Sequence, residues 1–223
     1  WRRRLLPVLA LLAAALLGHS TWIALVTFLA LALFALYQVG LAWRVQGEQA
    51  ARRLAGGYLL FGAGAMMAAL PFALSLLNTG TAQAGLVFEI PRNLSDWPLL
   101  SPFSARFPDS DLARLLDVPI HYFVELGALL VGGLLGWRLF WRQRRREPLL
   151  PLLSLLIVIG FGAITFFAAG RNYADLGLIL NNDLGLRAIM PAQLALALFA
   201  GYYLARITRS GRWQLLVIGP LIV

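Results

Sequence analysis

Residues 22–43 read WIALVTFLALALFALYQVGLAW, an uncharged run that ends directly at Arg44. A soluble helix needs a polar face, and this one has none, whereas the hydrocarbon core of a bilayer asks for about 20 apolar residues in succession. Trp22 and Trp43 stand at the two ends, where an amphipathic ring prefers the headgroup layer. The stretch therefore predicts a membrane-spanning helix.

The composition of the whole chain agrees with that reading. Hydrophobic residues make up 60% of its 223 positions and charged residues 13%, and the mean hydropathy is +0.76. A soluble domain of this size cannot hide so much apolar surface. The net charge of +9 would suggest nucleic acid in a soluble protein. Here the arginines lie between apolar runs, and no basic face is interleaved with aromatics, so membrane lipid is the expected partner and nucleic acid is not. The absence of cysteine excludes disulfides and thiolate metal sites. The chain starts at Trp1 and stops inside an apolar run, Leu215 to Val223, and is expected to be a fragment of a longer protein.

Six apolar segments of span-like character fall near 3–17, 22–43, 54–77, 119–140, 149–169 and 184–205, with a seventh cut short from 213 onward. The first follows Arg2, Arg3 and Arg4 and mimics a signal peptide, but Gly18–His19–Ser20 makes a poor cleavage site and a span follows at once. The expected fold is all-α: one transmembrane domain over 1–223, a polytopic helical bundle of about six to seven spans. Its one long outward loop covers 78–118, where Pro91, Pro98, Pro102 and Pro108 predict mostly irregular or extended chain. Asp109 or Ser110 is placed to cap a short surface helix through Leu116.

The arginines alternate between the connections. Arg2–Arg4, Arg44, Arg52 and Arg53, then Arg138, Arg142 and Arg144–Arg146, then Arg206, Arg209 and Arg212 fall on one side, with only Glu48 and Glu147 for company. The other side carries Glu89, Asp96, Asp109, Asp111, Asp117, Asp175 and Asp183 against Arg92, Arg106, Arg114, Arg171 and Arg187. The positive-inside rule makes the first side cytoplasmic and the fragment's N-terminus cytoplasmic with it, as in a bacterial plasma membrane. Gly132 and Gly136, and Gly56, Gly57, Gly62 and Gly64, are spaced for close helix approach, while Pro71 is expected to kink the third span.

Chemistry is sought where ionisable groups meet the spans, because such groups are costly there. Glu125 lies inside the outward half of the fourth span, with His121 one turn earlier on the same face. A carboxylate so placed must be neutralised, paired, or turned to a wet cavity, and a structural pairing and a functional site fit equally well. Two ligands at this spacing do not complete a metal shell, so no metal site is assigned and a divalent cation has no support. The second cluster runs from Arg171 through Asn181, Asn182 and Asp183 to Arg187 and Pro191. Asn181 or Asn182 is placed to cap the sixth span, Asp183 and Arg187 share a face, and Pro191 would leave the Arg187 carbonyl without its helical donor. A guanidinium, a helix start and a free carbonyl suit a phosphate or a sugar hydroxyl; the alternative is an ordinary capped helix with a local ion pair.

The run Asn182-Asp183-Leu184-Gly185-Leu186-Arg187-Ala188-Ile189-Met190-Pro191-Ala192 resembles an N-D-x-x-M-R-x-S-I-P-A stretch of large bacterial membrane proteins. Residues Pro119 to Gly127 resemble their N-Y-F-x-E-L-G span. Those proteins are similar to the GT-C class of polytopic glycosyltransferases, and the resemblance covers about 119–205 of this chain. Leu186, Ile189 and Met190 depart from the pattern, while Glu125, Asp183, Arg187 and Pro191 keep it. The resemblance implies a transferase that handles a polyprenyl-phosphate-linked sugar at the outer membrane face. In that class the catalytic acid sits in the first outward loop, and Gly18–Thr21 holds no carboxylate, so the catalytic residues are unknown and expected outside the fragment. Arg187, Asp183, Asn182, Arg171, Glu125 and His121 would then bind substrate or lipid phosphate. No cofactor is evident. A transporter or flippase using Glu125 and His121 as a relay is the rival reading, and a non-catalytic scaffold the third.

Overall fold

A single glycine separates the first two long helices. The computed structural model describes residues 11, 12, 15, 16, 20–78, 86–88, 111–143, 147–169 and 187–209. Its elements are α1 (Thr21–Gln46), α2 (Glu48–Asn78), β1 (Leu86–Phe88), α3 (Asp111–Gln143), α4 (Leu149–Phe166), β2 (Phe167–Ala169) and α5 (Met190–Arg209). Among the described residues four helices are long and apolar enough to cross a membrane: Trp22–Gln46, Glu48–Pro71, Tyr122–Gln143 and Leu149–Phe166. The chain is thus predominantly helical and built for a bilayer. The predicted first and seventh spans lie outside the described residues, apart from Leu11, Leu12, Ala15 and Leu16, which are helical.

The chain divides into two compact units, residues 1–87 with 169–190, and 88–168 with 191–223. In the first, Ser20 starts α1: its backbone is extended, and its Oγ accepts the Ile23 N–H at 3.4 Å. Such a cap replaces one of the hydrogen bonds that a helix start lacks. At the other end Gly47, with φ 89°, donates its N–H to the Trp43 carbonyl and accepts the Ala51 N–H on its own carbonyl. It therefore closes α1 and opens α2 in one residue, in a backbone region that side chains avoid. Ala24, Ala30, Ala42, Ala51, Ala65 and Ala69 are buried in this hairpin, small side chains that let helix backbones come close.

The elbow corrects the predicted boundaries. The third span was expected to begin at 54, with Arg52 and Arg53 in a loop, yet α2 starts at Glu48 and both arginines are helical. Arginine is a good helix former, and its long stem can carry the charge back to the interface. Arg52 also pairs with Glu48 one turn earlier. Helix α2 continues through Pro71. A Cβ placed on Gly56, Gly57 or Gly62 would meet nothing within 4 Å among the described residues.

In the second unit α3 pairs with both later helices. Tyr122 meets Thr165 and Trp137 meets Ser154, so α3 and α4 run antiparallel. Gly133 faces Leu196, Gly136 faces Phe199 and Gln143 bonds Tyr202, so α3 and α5 run parallel. The glycine face is where α5 comes closest. A Cβ on Gly136 would overlap the Phe199 carbonyl oxygen, and one on Gly133 would come within 2.6 Å of Leu196 Cδ2. Gly132 makes only ordinary contact with Ala200, 3.4 Å away. Phe199 and Leu196 are fully buried at this seam, and Phe140 meets the rings of Phe199 and Tyr202 edge-on, with centroids 5.7 and 4.9 Å away.

Helix α3 is also longer than the predicted span, 119–140, and is not straight. It begins at Asp111, so no separate surface helix ends at Leu116. Gly127, at φ 46° and ψ −124°, is non-helical and divides it into the segments 111–126 and 128–143. The predicted sixth span, 184–205, begins later as the regular helix α5 and is not among the four membrane-length apolar helices. Gln193, Tyr202, Tyr203 and Arg206 dilute its apolar character.

Candidate functional site

Glu125 is set at the first turn of the candidate span Tyr122–Gln143 and lies exposed on α3, two residues before the break at Gly127. The backbone angles of Gly127 mirror the extended region, which L side chains avoid and glycine reaches freely. Ending one helical segment and starting another frees carbonyls on one side and N–H groups on the other from the ladder. At membrane depth such groups are tolerated only inside protein or beside water. The conjunction of a carboxylate and a helix break is the main chemical feature of this unit. Sequence reasoning missed the break, although the signal, a glycine two residues after the acid, was present.

The buried side of the same turn is locked. Tyr122 is 7% exposed and its hydroxyl lies 2.6 Å from Thr165 Oγ1, which donates in turn to the Phe161 carbonyl at 2.6 Å. With the threonine proton used there, the Tyr122 O–H is the donor to Thr165. The Tyr122 ring stands edge-on to Phe161, centroids 4.6 Å apart. This anchor holds the first segment of α3 against α4. At the far end, Trp137 Nε1 donates to Ser154 Oγ at 2.9 Å, and Ser154 donates to the Leu150 carbonyl at 2.7 Å. Neither polar pair was foreseen, because each joins residues from different helices.

The second cluster is only partly described. Arg187 is helical and half-buried, Ile189 is a turn residue, and α5 starts at Met190. Asn181 and Asn182, the expected caps of the sixth span, lie outside the described residues. One expectation fails. Pro191 is the second residue of a new helix and not an interior residue one turn beyond Arg187, so its missing N–H falls in a turn that has no partner to lose. The Arg187 carbonyl is therefore not a gap left by proline inside a continuous ladder. Ala188, Ile189, Pro191 and Ala192 are buried, so the chain at this junction is packed.

Of the other candidates, Arg171, Asn182 and Asp183 lie outside the described residues, and His121 is described only as a helical residue of α3. Glu125 and Arg187 belong to different units. Among the described residues no group of three or more His, Cys, Asp or Glu side chains is placed to hold a metal ion. No protein-family model, curated protein or solved structure matches the chain.

Proposed function

We propose that the chain is part of a polytopic bacterial plasma-membrane protein of six to seven spans that handles a polyprenyl-phosphate-linked sugar at the outer face, as the GT-C-like motifs imply. The observation that carries the reading is Arg187, half-buried in helical chain just ahead of the proline-started helix α5. A lipid phosphate at a membrane surface needs a cation and forked donors, and arginine supplies both while lysine supplies a point charge. The directions of α3, α4 and α5 support the sidedness: antiparallel then parallel is what successive crossings require, and it keeps Arg138, Arg142 and Arg206 together at one end. The fragment's N-terminus would then face the cytoplasm. The catalytic acid is placed outside this stretch.

Binding of a polyprenyl phosphate to the full-length protein in nanodiscs tests the proposal. Arg187→Ala is expected to weaken it about tenfold or more, the worth of a charged hydrogen bond, and Arg187→Lys by a smaller but clear margin. Equal affinity in wild type and Arg187→Ala would remove the phosphate site.

The broken helix favours a second reading, a transporter or flippase. Discontinuous helices beside an acid are a recurrent way to build substrate and ion sites in transporters, and Gly127 breaks α3 two residues from Glu125. Proton-coupled uptake into proteoliposomes that is lost in Glu125→Gln would favour it over the transferase.

A further inference from the structure

Helix α3 is two rods joined at Gly127, and each rod is keyed to a different neighbour. The first, 111–126, is held to α4: the buried Tyr122 hydroxyl bonds the buried Thr165, and the Tyr122 ring stands edge-on to Phe161. The second, 128–143, is held to α5. Gly136 leaves no room for a Cβ against the Phe199 carbonyl, Phe140 meets the rings of Phe199 and Tyr202 edge-on, and the Tyr202 hydroxyl donates to Gln143 Oε1. Helices packed this closely do not slide past one another without a clash, so 128–143 and α5 form one body.

The second rod meets α4 in a weaker way. Its Trp137 indole N–H donates to Ser154 Oγ at 2.9 Å in an exposed bond. A hydrogen bond that other donors and acceptors can replace contributes little net. Gly127 itself has space: a Cβ there would meet nothing within 4 Å among the described residues. A glycine outside the helical region, with room around it, is a joint that absorbs backbone rotation at low cost. Trp137 lies ten residues beyond that joint. At 1.5 Å per residue that is about 15 Å, so a turn of about 10° moves the indole by about 2.6 Å and breaks its bond to Ser154. The connection from Gln143 to Leu149 follows easily, since five extended residues reach about 17 Å.

We propose that Gly127 is the hinge of a gate that opens at one end. Residues 128–143 and α5 swing together away from the pair formed by 111–126 and α4, and the Trp137–Ser154 bond is the latch. The swing parts α3 from α4 at the end that carries Arg138 and Arg142, while the Tyr122–Thr165 bond, on the other side of the joint, stays made. The gate requires neither the transferase nor the transporter reading, and its failure would leave both standing.

Two distances test it. The chain has no cysteine, so spin labels on paired cysteines report without background. They are read by double electron–electron resonance on the full-length protein in nanodiscs. The exposed residues Val158, on α4, and Leu204, on α5, belong to different bodies; Leu135 and Leu204 belong to the same one. Ser154→Ala removes the acceptor of the latch. It is expected to raise the ratio of a longer to a shorter Val158–Leu204 population about fivefold, the worth of one net hydrogen bond, with the Leu135–Leu204 distance unchanged. Trp137→Phe should give the same rise, and Ser154→Thr, which keeps the hydroxyl, none. One unchanged Val158–Leu204 distribution in the native protein, Ser154→Ala and Trp137→Phe would overturn the proposal. So would a Leu135–Leu204 distance that lengthens in step, because the seam with α5 would then be loosening and not swinging.

Discussion

Two glycines four positions apart show what a residue contributes here. Gly132 and Gly136 were singled out by spacing, but the structure gives them unequal weight. Gly136 has the Phe199 carbonyl where its Cβ would be, Gly132 would make only ordinary contact with Ala200, and the second tight position is Gly133. Spacing marks a face suited to close approach, while the partner comes from a helix some sixty positions away and chooses the residue. Gly136→Ala must push α5 off its seat, at a cost of about 1–3 kcal/mol for an overpacked site. A thermal scan in detergent should show a clear loss for Gly136→Ala and little change for Gly132→Ala. Glu125 behaves differently, because it is exposed on α3. Glu125→Gln is expected to abolish activity with the melting point nearly kept, and a parallel fall in both would instead identify a structural pair, whose loss leaves a partner stranded.

At the level of elements, apolar length located the helices and charge misplaced their ends. Residues 22–43 announced α1, which runs one residue earlier and three later, since nothing but lipid accepts such a run. The same rule placed Arg52 and Arg53 in a loop, and the helix took them in because a long cationic side chain can remain helical and still reach water. The two structural events that shape the candidate site, the break at Gly127 and the turn at Ile189, left no mark on hydropathy. Both are backbone events inside apolar sequence, and only Pro191 hinted at the second. Gly127→Ala puts a side chain into a conformation reserved for glycine, a strain of about 1–3 kcal/mol. The expected outcome is a lower melting point together with a change in how readily a cysteine at Glu125 reacts with a water-soluble maleimide. Unchanged reactivity would mean that the break does not control access to the acid.

For the whole molecule, the strongest expectation concerns sidedness. The chain has no native cysteine, so single cysteines report without background. A cysteine at Gln49, on the elbow, should be shielded from a membrane-impermeant maleimide in intact cells, and cysteines at Ser104 and Ala174 should label. Labelling at Gln49 would invert the protein and move every proposed site to the other face. Composition was enough to recognise a membrane protein, because the bilayer constrains average hydropathy; the chemistry was not, because Arg171, Asn182, Asp183 and Arg187 acquire a purpose only through the neighbours that folding gives them. The one-residue elbow has a further bearing, on what the chain can tolerate at that point. With no loop between α1 and α2, the two helices share one junction residue, and their relative rotation is set there. Adding even one residue beside Gly47 within the helical path would turn α2 by about 100° about its axis. Ala51, Ala65 and Ala69 would then swing out of the seam, so this junction should reject the insertions that ordinary membrane loops accept.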